Sequence, residues 1–363
     1  MKKLFVALCA LAMVALVACK KDKPTPSNND PTPSEQRDTR EGAYDPVCKI
    51  TGIVYSDDTA PETWLWDPET GHLLSVNDDD YCGGYVERIS FNYHNDGRVD
   101  YVNVRNLSLG DFLQNMEVDG TLQVTYNGDY ISGLTVLNNG TQVLAAQVEH
   151  NSSTKKISGA SIDLSDNMLL GLFNDLLTQF LGDSANSGDM ITSVDNVIGN
   201  VLLTWDDNNV SQSLLSIGFR AATTLGTLVN LVGQDNLDMF GQYGSLLALA
   251  AAFAPNQPLY FNVTLADTVD YSYDDKVNPF FHYLGRIDIS ALSANNVVAA
   301  IHTGIAHVAI TTTLNGQTTQ FYETDYPLPL ESTFNDYLEY NEAGCPLRME
   351  NSYGVETEFH YAE

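Results

Sequence analysis

Apolar and polar residues alternate with a period of two along most of the chain, and the clearest run is Ile89 to Arg105, ISFNYHNDGRVDYVNVR. Ile89, Phe91 and Tyr93 are separated by Ser90 and Asn92; His94-Asn95-Asp96-Gly97 interrupts, and Val99, Val102 and Val104 resume. A period of two puts one set of side chains on one face of a pleated strand, and Asn-Asp-Gly tolerates the positive φ of a tight connection, so the run predicts a β-hairpin. The same grammar recurs. Leu122, Val124 and Tyr126 precede Asn127-Gly128; Ala146, Val148 and His150 precede Asn151-Ser152-Ser153; Val201, Leu203 and Trp205 precede Asp206-Asp207. Val269, Tyr271 and Tyr273 precede Asp274-Asp275, and Leu338 and Tyr340 precede Asn341-Glu342-Ala343-Gly344. The aromatic just before each turn marks a shared plan, and the irregular spacing makes it a meander of hairpins with insertions. Tyr93, Tyr126, Trp205, Tyr273 and Tyr340 are expected on one side of one continuous sheet running from Val47 to Tyr361.

Further strands fit the same scheme. Val47 to Tyr55 reads as the first, and Trp64-Leu65-Trp66 runs into Asp67-Pro68-Glu69-Thr70-Gly71 before Leu73, Leu74 and Val76 return. Asn315-Gly316 between two β-rich runs is a type I′ hairpin signal, and Val355, Thr357, Phe359 and Tyr361 form a last alternating strand. The period changes at Ser165 to Gly182, where Leu169, Leu172, Phe173, Leu176, Leu177, Phe180 and Leu181 follow one helix face. Val194, Val197 and Ile198 suggest a short second helix, and Ala221 to Val232 and Asn236 to Ala254 suggest two more, the last stopped by Pro255. The fold class expected is mainly β with inserted α-helices at about 165–200 and 221–254: a curved antiparallel meander or half-open barrel, with the helices packed on one side.

The first residues change the picture from fold to location. Met1 to Cys19 is MKKLFVALCALAMVALVAC, a basic start followed by an apolar core shorter than the roughly 20 residues a membrane helix needs. Leu16-Val17-Ala18-Cys19 resembles the lipobox of bacterial lipoproteins, which implies cleavage of residues 1–18 and acylation of Cys19. Lys20 to Gly42 holds Pro, Ser, Asn and charge with almost nothing apolar, so 19–42 reads as a lipidated cysteine and a disordered tether with a reach on the order of 70 Å. Residues 43–363 then form a single β-rich domain. Covalent acyl chains would make the membrane a partner without any spanning segment.

Charge and chemistry narrow the function. A net charge of −30 opposes association with nucleic acid and anionic headgroups. Beyond Cys19 lie Cys48, Cys82 and Cys345, an odd set in which Cys48 with Cys82 is the pairing suggested by nearness in sequence. The seven histidines, His72, His94, His150, His282, His302, His307 and His360, form no metal motif; His302 and His307, five apart, face opposite ways on a strand. Asp78-Asp79-Asp80, Asp206-Asp207 and Asp274-Asp275 lack EF-hand spacing and read as turn caps. Trp64 and Trp66 could stack on a sugar but read first as core. No nucleophile elbow or phosphate loop occurs, so no catalytic residue, metal or cofactor is expected.

The lipobox, the tether, the hairpin LEYNEAGCP at 338–346, the segment YSYDDKVNPF at 271–280 and the terminal TEFHY at 357–361 together resemble Bacteroidetes lipoproteins of unknown function. The resemblance implies a porin-like, curved antiparallel β-sheet and a place in the cell envelope, at the outer membrane of a Gram-negative bacterium on either its periplasmic or its surface face. The function expected is a non-catalytic, membrane-anchored lipoprotein holding an apolar or amphiphilic ligand between sheet and helices. A structural or adhesive surface protein and a glycan-active enzyme are the alternatives.

Overall fold

The computed structural model describes residues 48–56, 61–79, 85–108, 117–128, 130–164, 191, 193–232, 244–280, 292–314, 317–328, 330 and 332–362. Within them, the alternating runs form seventeen strands of one sheet. The first nine are β1 (Ile50–Tyr55), β2 (Glu62–Trp66), β3 (Leu73–Asp79), β4 (Tyr85–Tyr93), β5 (Val99–Ser108), β6 (Glu117–Asn127), β7 (Tyr130–Asn138), β8 (Thr141–His150) and β9 (Ile157–Leu164). Longer strands follow: β10 (Ser193–Asp206), β11 (Asn209–Thr224), β12 (Pro258–Val277), β13 (Asn295–Leu314) and β14 (Gln317–Leu328). Three short ones end the chain, β15 (Thr333–Tyr340), β16 (Pro346–Asn351) and β17 (Glu356–Tyr361). Helices α1 (Leu225–Val232) and α2 (Gly244–Phe253) connect β11 to β12.

Every chain neighbour pairs antiparallel up to β13, which takes two partners along one edge. Gly304 to Leu314 pair with β14, and Ala299 and Ala300 pair with β15. β14 and β15 thus occupy one position, one after the other along that edge. β15 pairs with β16, β16 with β17, and β17 returns to β1 through Ile50↔Tyr361 and Ile53↔Phe359. The sheet is a closed barrel of sixteen positions. The half-open meander expected from sequence is therefore corrected: the closing pair joins residues 302 to 311 positions apart, which no local pattern reveals.

Closure also corrects the place of the helices. They lie beyond the ends of β11 and β12, with Leu225, Leu228, Val229, Leu247 and Ala251 buried in the common core, and do not blanket one face of an open sheet. Residues 221–224, expected as helix, are the end of β11, because Phe219, Ala221 and Thr223 keep the buried phase of a strand. Val194 to Ile198 are likewise strand, part of β10. The helix expected at Ser165–Gly182 and the Asn315-Gly316 turn lie outside the described residues; Leu314 and Gln317 pair on either side of that turn.

The alternation has a clear direction. Around the ring the buried set is apolar: Ile53, Trp64, Val76, Phe91, Val102, Leu122, Leu134, Leu144, Val201, Ile217, Val263, Ala306 and Phe359. In a closed sheet this buried face is the inner one. The intervening positions face out and are mostly polar, as in Gln212, Ser216 and Arg220 of β11, Asn262, Thr264 and Asp270 of β12, and Glu356, Glu358 and His360 of β17. A barrel immersed in lipid needs an outward apolar band about 25 Å tall. The described outer face is mostly Thr, Asn, Gln, Asp and Glu there, with exposed apolar side chains at Val54, Leu65, Ile198, Leu202, Ile301, Ile305, Phe334 and Leu338 set among them.

Candidate functional site

Two regions stand out from the uniform wall: a rim where side chains replace the ladder, and a polar pair on the inner face.

The rim lies at the end where β2, β4, β6, β8, β10, β12, β15 and β17 finish. In each hairpin joined at the far end, the ladder stops short of this rim, which leaves the carbonyl two residues before the last pair without a strand partner. An aromatic or imidazole side chain three residues past the last pair fills the place. Trp66 Nε1 donates to the Ile50 carbonyl at 2.7 Å, Tyr93 Oη to Leu73 at 2.7 Å, Tyr126 Oη to Val99 at 2.9 Å and Trp205 Nε1 to Ile157 at 2.7 Å. Tyr273 Oη donates to Val210 at 2.6 Å and Tyr361 Oη to Pro346 at 2.6 Å, and His150 Nε2 lies 2.8 Å from the Ile131 carbonyl. The turn that follows carries a bulge: Leu74, Asp100, Ser132, Ser158, Ser211, Val298 and Leu347 are each an extra residue opposite Trp66, Tyr93, Tyr126, His150, Trp205, Tyr273 and Tyr340. Bulge and side-chain bond together satisfy the backbone where the strands part.

Of the five aromatics expected on one side, Tyr93, Tyr126 and Trp205 follow buried Phe91, Val124 and Leu203 in phase and pack on the core. Tyr340 departs from the pattern: its hydroxyl goes to Asp274 Oδ2 at 2.7 Å, while Asn335 Nδ2 takes the Val297 carbonyl. Asp274 also accepts from the Lys276 and Asn296 backbone and from Asn296 Nδ2, so it caps the turn as the sequence suggested. Trp64 is core, 2% exposed and in contact with Phe280, and its Nε1 donates to Glu62; it offers no open face for a sugar. The same rim holds the disulfide Cys48–Cys345, which overturns the Cys48–Cys82 pairing, Cys82 lying outside the described residues. Sequence nearness misled because barrel closure, not the local turn, sets which cysteines meet. Cys19 also lies outside the described residues.

The polar pair sits on the inner face of β12 and β13. Asp267, 3% exposed, follows Val263 and Leu265 in the inward phase, opposite Leu215 of β11 and Gly304 of β13. Its Oδ2 lies 2.8 Å from His302 Nδ1. Its other oxygen, Oδ1, is buried with no hydrogen-bond partner. A buried acceptor left unpaired costs about 1 to 3 kcal/mol, and native proteins keep few of them. The His302 side chain retains 17% exposure, and its backbone N–H donates to Ser332 Oγ. Two groups, one carboxylate and one imidazole, can accept and donate hydrogen bonds here; no third member of a nucleophilic triad joins them among the described residues. Nor does any group of three His, Cys, Asp or Glu converge among them.

The remaining histidines are scattered. His307 faces outward to Asp325 at 2.8 Å and Glu323 at 3.4 Å, opposite in sense to His302, and His360 faces outward beside Glu358. Sequence reading missed the Asp267–His302 pair because 35 positions separate its members. The readable signal was an Asp in the core phase of Val263, Leu265 and Val269.

No family model matches the chain, and no curated protein matches it. Among solved structures it is similar to a porin-like protein from Bacteroides uniformis ATCC 8492, at 10% identity over 86% of this chain and 96% of that chain, with a TM-score of 0.26. A likeness at that score carries no weight, and the barrel stands on its own strand pairings.

Proposed function

We propose that this chain is a lipid-anchored, non-catalytic envelope protein, held at the outer membrane of a Gram-negative bacterium through acylated Cys19, with its barrel standing off the bilayer and an apolar or amphiphilic ligand held inside. The observation that carries this reading is the sense of the barrel, apolar within and polar without. Such a barrel is at home in water. Lys49 lies beside Ala362 at the rim, where a tether from Cys19 would join the barrel. The anchor is tested by Cys19→Ala: the variant is expected in the soluble fraction, and a variant that still pellets with membranes after a high-salt wash overturns the reading.

A further inference from the structure

We propose that Asp267 and His302 form the polar end of an internal binding site for a cationic amphiphile, an alkyl chain bearing a primary ammonium. This rests on the reading that the barrel interior holds a ligand, and it names the headgroup. An ionised carboxylate only accepts hydrogen bonds, so the complement of the orphaned Asp267 Oδ1 must be a donor. Asp267 is the one carboxylate among the buried described residues. The pair has no second acid to bind a hard cation as a cage would.

Charge chooses among donors. A protein of net charge −30 concentrates cations and repels fatty carboxylates, and an ammonium makes a charge-assisted bond to Oδ1 where a hydroxyl makes a neutral one. The walls choose the rest of the molecule. Asp267 is flanked by Leu265 and Val269 on its own strand and faced by Leu215, all buried. Gly304 opposite it bears no side chain, and a Cβ there would lie 2.5 Å from Leu330 Cδ1 and 2.8 Å from Leu328 Cβ, so these leucines fill the space beside Gly304 and add to the apolar wall next to Asp267. Apolar walls around a single acceptor suit an alkyl chain with a donor at its end. His302, partly exposed, is the side of the pair that a headgroup meets first.

The test is titration calorimetry of the whole barrel, below the micellar concentration, with dodecylammonium, dodecanol and dodecanoate. Dodecylammonium is expected to bind at least tenfold more tightly than either of the others, and Asp267→Asn to reduce that preference to within about twofold while dodecanol binding is kept. Asp267→Leu, which keeps an apolar residue of similar size, serves the same purpose if the Asn variant does not fold cooperatively. Equal binding of all three probes, or a preference that survives both variants, overturns the headgroup assignment and leaves the ligand reading standing. Binding of none of the three overturns both.

Discussion

The barrel has two unlike arcs. From β1 to β9 the strands are five to eleven residues long, and among their described side chains the buried polar ones are Ser75 and Asn77, which bond to each other. From β10 to β14 they run to twenty residues, and the buried polar groups gather there and in the adjoining connection: Ser213, Thr223, Asp267, Asn278, Ser293, Asn296 and Thr312. One alternation builds both arcs. The short arc gives its inner face almost wholly to apolar packing, with Ser75 and Asn77 satisfying each other, whereas the long arc places there polar groups that recognition can use. A site on a β-barrel therefore shows itself as a fault in the apolar phase, not as a motif.

Raising the pH attacks the tyrosine hydrogen bonds of the rim, and with them the Tyr322–Tyr326 contact on β14. Burial raises the Tyr93 and Tyr361 hydroxyls above the ordinary tyrosine value, and burial followed by the Tyr322 contact pushes Tyr326 up to about 12. The folded barrel thus holds these protons more tightly than the unfolded chain, a contribution complete below about pH 10 and lost as the pH climbs through the folded values. Absorbance at 295 nm is expected to show a late-titrating class of tyrosines whose ionisation coincides with loss of the β-sheet signal. Ionisation of all tyrosines near 10 with the sheet intact would remove the rim from the account of stability.

Opening Cys48–Cys345 should come next, because it clasps the first strand to the last hairpin across 297 residues. Cys48→Ser with Cys345→Ser is expected to lower urea stability by about 4 kcal/mol, and a change under about 1 kcal/mol would mean the β1–β17 ladder closes the barrel unaided. Within the long arc, His302→Ala should cost about 3 kcal/mol by stranding the buried Asp267 carboxylate, while Asp267→Leu should be neutral or stabilising. If both substitutions destabilise equally, the pair is structural and the contrast between the arcs weakens. Smallest is Tyr126→Phe, expected at about 1 kcal/mol for one hydrogen bond to the Val99 carbonyl; the same change measured at Tyr273 compares the rim of one arc with that of the other.

Much of this was legible in local pattern. The hairpins around Tyr93, Tyr126, Trp205 and Tyr340 follow from period-two alternation broken by Asn, Asp and Gly, and Trp64 as core follows from its size and phase. Helix and strand were confused where small and β-branched residues carry both periods, as in Ala221-Ala222-Thr223-Thr224, whose phase with Phe219 decides for strand. Closure, the disulfide and the Asp267–His302 pair were beyond local reading, since each joins residues that only the finished ring brings together. The aromatic before each turn was visible, but its task was not: a hydroxyl or indole N–H three residues past the ladder answers a carbonyl on another strand.

The Ala362 N–H donates to the Lys49 carbonyl at 2.9 Å, so the two ends of the barrel domain already touch. Topologically the domain is a ring with one covalent gap, and that gap falls in the rim where every other pair of neighbouring strands is joined by a turn. The starting strand is then an accident of where the chain was cut: a circular permutant joined from 362 to 48 and reopened at Asn139-Gly140 would keep every strand neighbour it has now.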